Sequence, residues 1–378
     1  MSVRPARRAE RLERTLIRRI FDSAPSDAIN LGLGQPDLAT PEAVCVAGIA
    51  AIRAGRTGYT STAGDPELRE AIARRYAPFA SGPESVVVTA GSQEAMFVAL
   101  LCLVDPGDEV LLPDPGYPAY PVVADLVGAV PVTYPLRPER AFRIDPEDIA
   151  SRLTERTRVV ILCSPSNPTG AVNRGEHVET LVRLLERRGV PWVSDEVYAG
   201  FAYEGEAPSP RRWSADGGLI VSGLSKDLSM TGWRVGWIVG PGALVERLSA
   251  IHQYLVTCAS SISQAAALGA FSEEGIAATS EYVEIFRRRR ALMAGELSRI
   301  PGIRFTLPDG AFYFFVDVSR FGSSLALGRR ILERRNVVTI PGEAFGEGGR
   351  GYLRISFAAA DSDIVRGVRA IGEELSGE

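Results

Sequence analysis

The sequence predicts an α/β protein whose larger part is a mostly parallel sheet with helices on both faces. From residue 60 to about residue 240, short apolar or β-branched runs alternate with helical patterns, as expected when helices connect parallel strands. At 378 residues the chain is too long for a single compact core, so two domains are expected.

The elements of the larger part follow in chain order. Asp65 and Pro66 form a cap and a first-turn proline, which predict a helix running to about Phe79. Further helices are predicted at 92–104 and 175–188. The predicted strands are 85–89, 109–112, 129–134, 158–163, 190–194, 219–222 and 233–239.

A smaller α+β unit is predicted after a long helix at about 276–300. Its predicted strands are 303–306, 312–318, 337–340 and 352–356, and its predicted helices are 326–335 and 362–375. We therefore expect a large domain at 41–280 and a small domain at 281–378. Residues 1–40 are expected to be an N-terminal arm that packs on the small domain.

Composition and charge narrow the class of protein. A net charge of −4 disfavours nucleic acid or an anionic membrane as the main partner, and no apolar run approaches the ~20 residues of a membrane span. The arginine-rich start is either a transit peptide or an amphipathic surface helix, and the interspersed acids favour the helix. Four separated cysteines without a CxxC pair predict a reduced, cytoplasmic protein, and with two histidines no metal site is predicted.

Lys226 is the only lysine among the 42 lysine and arginine residues. A lysine amine can lose its proton and attack a carbonyl carbon to form a Schiff base, which a guanidinium cannot do. Ser225 and Arg234 stand on either side and could hold an anionic group beside the amine. The alternative is a surface lysine with no chemical role, which these neighbours disfavour.

Loops that follow strands at one edge of such a sheet are where ligands bind. Gly91 precedes a helix whose free first amides favour a phosphate. Tyr117 lies in a proline-rich turn, either presenting its ring or packing against the domain. Asn167 is held between two prolines as an amide donor, and Asp195 ends an apolar strand either as a helix cap or as a charge that awaits a cation.

Three motifs in this order resemble the class I/II aminotransferases of the pyridoxal-phosphate fold type I superfamily. They are Ser-Asn-Pro-Thr-Gly at 166–170, Asp-Glu-Val-Tyr at 195–198 and Ser-Lys-x-x-x-Met-Thr-Gly-Trp-Arg at 225–234. The resemblance covers almost the whole chain, from Leu31 to Phe357. It implies the fold type I architecture and an enzyme that moves an amino group between an L-amino acid and a 2-oxo acid by a ping-pong mechanism.

The resemblance also implies how pyridoxal 5′-phosphate is held. Lys226 would bind the cofactor covalently and carry the proton, and Asp195 would face the pyridine nitrogen. Asn167 and Tyr198 would contact the phenolic oxygen, and Tyr117 would stack on the ring. The phosphate would be bound by a further set of residues: Gly91, Ser92, Gln93, Ser225 and Arg234.

The substrate and the quaternary structure follow from the same resemblance. Arg354 would hold the α-carboxylate of the substrate in two hydrogen bonds, with Gly34 leaving room nearby and Asn167 adjoining. Tyr59 would reach the phosphate of the neighbouring subunit, which implies a homodimer with shared active sites.

Two departures and several alternatives remain. Gly223 stands where many relatives have a hydroxyl residue, which leaves the role of Ser222 open, and Tyr117 replaces the tryptophan usual in aspartate-specific relatives.

The rival enzyme is a β-lyase, cyclase or amino-acid synthase on the same scaffold. A G-x-G-x-x-G match at 346–351 precedes a strand, which disfavours a nicotinamide dehydrogenase. Transcription regulators that share this fold carry a DNA-binding domain, and we expect none before residue 31.

Overall fold

The computed structural model describes residues 3–78 and 80–377. Its helices are α1 (Arg7–Glu10), α2 (Leu16–Ser23), α3 (Glu42–Arg53), α4 (Pro66–Arg75), α5 (Ser92–Leu103), α6 (Ala119–Leu126), α7 (Pro146–Ala150), α8 (Gly175–Arg188), α9 (Gly242–Val256), α10 (Ser261–Gly269), α11 (Glu273–Leu297), α12 (Ser324–Arg335) and α13 (Asp361–Ser376). Its strands are β1 (Ile29–Asn30), β2 (Val86–Thr89), β3 (Glu109–Asp114), β4 (Val130–Pro135), β5 (Thr157–Cys163), β6 (Trp192–Asp195), β7 (Gly218–Gly223), β8 (Gly236–Val239), β9 (Arg304–Phe305), β10 (Tyr313–Asp317), β11 (Val337–Val338), β12 (Ile340–Pro341) and β13 (Tyr352–Ser356).

The central sheet has seven strands in the order β2-β8-β7-β6-β5-β3-β4. Every pairing is parallel except those of β8, which runs antiparallel to both β2 and β7. Helices connect the strands, so the predicted α/β fold with a mostly parallel sheet is confirmed. Because the parallel strands end at one edge, the loops after them lie together there.

Alternating side chains of the buried strands form the core on both faces of this sheet. In β5, Val160 and Leu162 belong to one apolar cluster, whereas Val159 and Ile161 belong to another. Successive side chains of a strand point to opposite faces, and both faces of a parallel sheet are covered by helices. This packing fixes the carboxyl ends of the strands, from which the site loops start.

A second sheet has the order β12-β13-β10-β9 and is antiparallel throughout. A third, two-stranded pairing joins β1 near the start of the chain to β11. The prediction of one continuous strand at 337–340 is wrong, because this segment forms two short strands in different sheets. Its first half pairs with Ile29–Asn30, and its second half pairs with β13 in the other sheet.

Several predicted boundaries also differ from the structure. The amphipathic start forms two short helices, because Thr15 caps a new helix by accepting a hydrogen bond from the amide of Arg18. Helix α4 ends at Arg75, and Phe79, its predicted end, lies outside the described residues. The predicted strand at 233–239 begins only at Gly236, because Arg234 has a left-handed backbone with φ of 54°.

Five helices, α3, α6, α7, α9 and α10, have no counterpart among the helices whose bounds the sequence predicted. The buried side chains of α3 and α6 face the core, but both helices also carry apolar residues on their other sides. Their sequences therefore lack the alternation of apolar and polar faces by which an amphipathic helix is recognised. Helix α7 has only five residues. Within residues 3–78 and 80–377, no helix is both long and apolar enough to cross a membrane.

Candidate active site

A cavity of about 470 Å³ opens at the carboxyl edge of the central sheet. Its walls come from the loops after β2, β3, β5, β6 and β7, together with the N-terminal segment and β13. Eleven of the predicted site residues line it: Gly34, Ser92, Gln93, Tyr117, Asn167, Asp195, Tyr198, Ser225, Lys226, Arg234 and Arg354. Two others, Gly91 and Tyr59, lie outside its wall.

The amine of Lys226 points into this cavity and donates a 2.6 Å hydrogen bond to the carbonyl oxygen of Gly34. Burial, followed by the positive charges of Arg354 and Arg234, lowers the pKa of Lys226 to about 8, and Asp195 opposes this shift. Near neutral pH a much larger fraction of this amine is therefore unprotonated than for an ordinary lysine. Such an amine can act as a nucleophile or a base.

Asp195 ends β6 and is buried, with two hydrogen bonds to its carboxylate. The hydroxyl of Tyr120 donates to Oδ2 at 2.7 Å, and the amide of Val197 donates to Oδ1 at 3.2 Å. Burial raises the pKa of Asp195, while the Tyr120 and Val197 hydrogen bonds and the charge of Lys226 oppose that rise. A cationic group inside the cavity would therefore stabilise the charged form of this carboxylate.

The start of α5 forms a cradle with polar donors. No side chain caps this helix among the described residues, so its first amides face the cavity edge at Ser92 and Gln93. Gly91 has φ of 96°, and a Cβ there would lie 2.5 Å from a terminal nitrogen of Arg234. Arg234 itself is held by the carbonyl oxygen of Thr231 at 2.8 Å. Helix amides and a guanidinium at one place suit an anion.

Arg354 lies on β13 and is buried between the rings of Tyr313 and Phe345, at 4.4 and 4.8 Å from their centroids. Its terminal nitrogens donate to Oδ1 of Asn167 at 2.9 Å and to the carbonyl oxygen of Gly32 at 2.5 Å. Its Nε is buried and has no hydrogen-bond partner among the described residues. A buried donor without a partner is costly, and a ligand carboxylate would satisfy it.

The remaining aromatic groups are closely packed. The hydroxyls of Tyr198 and Tyr313 are 2.7 Å apart. Tyr117 lies edge-on to Tyr120 with ring centroids 5.4 Å apart, and its hydroxyl donates a long, 3.4 Å hydrogen bond to Gln93. Burial raises the pKa of Tyr117 to about 12, so its hydroxyl stays protonated. The Tyr117 ring faces the cavity as well as packing on the domain, and the sequence left these two possibilities open.

Two residues that the sequence singled out lie away from the cavity. Tyr59 is 88% exposed and lines a separate surface recess with Arg56 and Asp65. Ser222 is buried in β7, where its hydroxyl donates to the carbonyl oxygen of Glu196. Ser222 therefore does not line the cavity, whereas Ser225 does.

Sequence reasoning missed several residues of the cavity wall. Tyr120 lies in the first turn of α6, a helix that the sequence analysis did not predict, and it belonged to no motif. Tyr313 carried no motif of its own. Helix α2 contributes Ile17, Arg18 and Phe21, which only the folded chain brings to the site.

One amine, a buried carboxylate and an anion cradle at the carboxyl edge of an α/β sheet define a pyridoxal-phosphate enzyme of fold type I. The family model "Aminotransferase class I and II" matches residues 26–371. The chain belongs to this family and is a pyridoxal-phosphate-dependent aminotransferase.

Individual relatives agree over nearly the full chain. The chain is 36% identical to an aspartate aminotransferase of Pyrococcus horikoshii, over 99% of this chain and 97% of that protein. The solved Thermus thermophilus aspartate aminotransferase with maleate superposes with a TM-score of 0.92 at 32% identity, covering 98% of this chain and 100% of that one. An aminotransferase from Mycobacterium tuberculosis superposes with a TM-score of 0.93 at 33% identity, covering all of both chains.

The residues present fit the cofactor. The amine of Lys226 has a lowered pKa, Asp195 is a buried carboxylate, and the α5 cradle offers amides beside Arg234. Each matches one part of pyridoxal phosphate: its aldehyde, its ring nitrogen and its phosphate. Substrates of this enzyme are an amino acid and a 2-oxo acid.

Proposed function

We propose that Lys226 is the residue that binds the cofactor covalently and moves the proton during amino transfer between an L-amino acid and a 2-oxo acid. The observation that carries this proposal is the position of the chain's single lysine, whose Nζ lies in the cavity with Asp195 and Arg354 in the same wall. When bound, pyridoxal phosphate supplies the electron sink that stabilises the negative charge left at the substrate Cα.

Lys226 is suited to hold and release a proton at Nζ. Its pKa of about 8 is close to neutral, which is where a general acid and base works best. The carbonyl oxygen of Gly34, 2.6 Å away, orients the amine. A side chain at position 34 would clash with the Tyr313 hydroxyl, so only glycine leaves the backbone at this distance from the lysine.

Asp195 acts as the counter-charge for the ring nitrogen. Its burial strengthens any ion pair formed with a protonated ring, because no water screens the charges. Tyr120 and the amide of Val197 orient the carboxylate and favour its charged form. Asp195 therefore keeps a proton on the ring nitrogen, which the electron sink requires.

Arg354 binds the α-carboxylate of the substrate. Its guanidinium is fixed by Asn167, Gly32 and two aromatic rings, so little side-chain entropy is lost on binding. The partnerless Nε gives it a donor for the incoming carboxylate. The side-chain oxygen of Asn167 accepts a hydrogen bond from Arg354. Its side-chain nitrogen is therefore available to donate to the phenolic oxygen of the cofactor, and Tyr198 contacts the same oxygen.

The phosphate is bound by the α5 amides at Ser92 and Gln93, with Ser225 and Arg234 beside them. Tyr117 stacks on the ring, and the edge-on contact with Tyr120 supports its orientation. The donors in these assignments lie at the same edge of the sheet, either in a loop beside a strand or in the first turn of α5.

We also propose a homodimer in the cytoplasm in which Tyr59 serves the partner's phosphate. Its 88% exposure and its distance from the cavity wall of its own chain support this role. We propose the domain division at 41–280 and 281–378, with 1–40 as an arm, and the pairing of β1 with β11 supports the placement of the arm.

The test combines mapping with a half-reaction. Borohydride reduction of the protein loaded with pyridoxal phosphate, followed by peptide mapping, should place the label on Lys226. An L-amino acid should convert the bound cofactor from the aldehyde to the amine form, and a 2-oxo acid should reverse this. Label found only on the N-terminal amine would refute the assignment.

A further inference from the structure

The side of the cavity formed by α2 is distinct in chemistry from the rest of the wall. Thr15, which also lines the cavity, caps α2 by accepting a hydrogen bond from the amide of Arg18. The other members are Ile17, Arg18 and Phe21 of α2 and Leu33 of the N-terminal segment. We call these five residues the α2 wall. Ile17 and Phe21 are one turn apart on α2, so both point to the same side of the helix.

The cations of the cavity show what a charged substrate side chain would meet. Among the described lining residues, the cationic side chains are Arg18, Lys226, Arg234 and Arg354. The proposed function uses the last three for the cofactor and the α-carboxylate. Among the lining residues that this chain contributes, Arg18 is then the one left to pair with a second carboxylate on the substrate.

Arg18 already has a counter-ion. Its Nε lies 3.0 Å from Oδ1 of Asp22, one turn further along α2, and its guanidinium lies over the ring of Phe21 at 5.7 Å from the centroid. Arg14 contacts the other oxygen of Asp22 at 3.3 Å. The Arg18 side chain is 63% exposed, so water screens its charge. It is not a preorganised carboxylate clamp of the kind that Arg354 provides.

We infer that the α2 wall receives an uncharged, apolar substrate side chain, either a large aliphatic or an aromatic group. This rests on the proposed function, which places the α-carboxylate on Arg354. A carboxylate side chain would lose water at the α2 wall without gaining a free cation from that wall. An apolar group would instead remove its own surface and those of Ile17, Phe21 and Leu33 from water. The preferred amino donors are therefore aromatic or branched aliphatic amino acids rather than aspartate.

The experiment measures binding of two unreactive carboxylates to the holoenzyme by calorimetry. The dicarboxylate is maleate, and the aromatic monocarboxylate is 3-phenylpropionate. We expect 3-phenylpropionate to bind at least about tenfold more tightly, from roughly 60 Å² of added apolar burial. Tighter binding of maleate would overturn the inference.

Three variants locate the effect. Phe21→Ala should weaken 3-phenylpropionate about tenfold and leave maleate nearly unchanged. Asp22→Asn removes the counter-ion of Arg18 and should strengthen maleate while leaving 3-phenylpropionate unchanged. Arg19→Ala, on an exposed position of the same helix, is the control and should change neither. Equal weakening of both ligands in Phe21→Ala would overturn the inference, because it would mean a general loss of the helix.

The design separates this inference from the function on which it rests. Arg354→Leu should abolish binding of both carboxylates if Arg354 is the shared clamp. If neither ligand binds the wild-type holoenzyme, or if Arg354→Leu leaves both affinities unchanged, the proposed α-carboxylate site fails and the inference fails with it. If both depend on Arg354 and maleate binds more tightly, only the α2 wall assignment is wrong.

Discussion

The hydroxyl of Tyr120 donates a 2.7 Å hydrogen bond to Oδ2 of Asp195 inside the protein. Tyr120 lies at the start of α6 and Asp195 at the end of β6, so the bond joins a helix and a strand of the cavity wall. A hydrogen bond to a charged acceptor favours the charged form. It opposes the rise that burial causes in the pKa of Asp195.

Tyr120→Phe should raise the pKa of Asp195 further, because burial then acts with less opposition. The acid limb of the single-turnover rate should move to higher pH, and the rate at neutral pH should fall about tenfold. Tyr117→Phe is the matched control, since its hydroxyl makes only a 3.4 Å contact with Gln93. An unchanged acid limb in Tyr120→Phe would show that another group sets it.

Asp195→Ala should slow conversion of the bound cofactor to the amine form severely, because no carboxylate then keeps the ring nitrogen protonated. Some cofactor should still be bound through Lys226. Asp195→Glu keeps the charge and shifts it by one methylene, so it should lose much less. The measurement is single-turnover spectroscopy with a saturating amino acid. Equal rates in wild type and Asp195→Ala would reduce Asp195 to a structural carboxylate.

Arg354→Leu should weaken binding of the amino acid and leave the absorption spectrum of the bound cofactor nearly intact. Loss of a buried, charge-assisted contact costs roughly 2–5 kcal/mol in binding. Arg350→Leu is the control, because Arg350 is exposed and forms a local ion pair with Glu347, three residues earlier. Substrate affinity is read from the concentration dependence of the half-reaction. If both variants behave alike, a different arginine binds the substrate.

The amine of Lys226 should titrate with a midpoint of about 8 in the cofactor-free protein, against an ordinary value of 10.5. It should be charged below this pH and neutral above it, because burial and the nearby arginines disfavour the charge. Reductive methylation with a 13C label gives this single lysine one methyl signal, which Lys226→Met identifies by its loss. A midpoint near the ordinary value would mean that water reaches the amine freely.

A shared active site can be tested by mixing two inactive variants. Lys226→Ala and Tyr59→Ala each damage a residue that would belong to a different subunit of the same site. After refolding together, random pairing should restore about a quarter of the wild-type activity, because half of the dimers contain one intact site. Each variant refolded alone is the control. Sedimentation that showed an active monomer would contradict the proposed homodimer.

The sequence predicted most of the seven-stranded sheet because its strands are buried on both faces and read as apolar runs. It predicted the polar wall of the cavity because those residues follow strands directly in short motifs. Tyr313 and the α2 residues Ile17 and Phe21 had no such signal, since only tertiary packing brings them to the site. The strand at 337–340 was read as one because sequence periodicity does not say which partner each half will pair with.

The loop between β7 and β8 begins and ends at the same edge of the sheet, because these strands are antiparallel. It carries Lys226 near one end and Arg234 near the other. One stretch of backbone thus sets the separation between the proposed covalent anchor and the proposed ionic anchor of the cofactor. Pyridoxal has no phosphate group, so it could bind to Lys226 but would have nothing to pair with Arg234. We therefore expect the spacing of this single loop to favour the phosphorylated form of the cofactor over the unphosphorylated one.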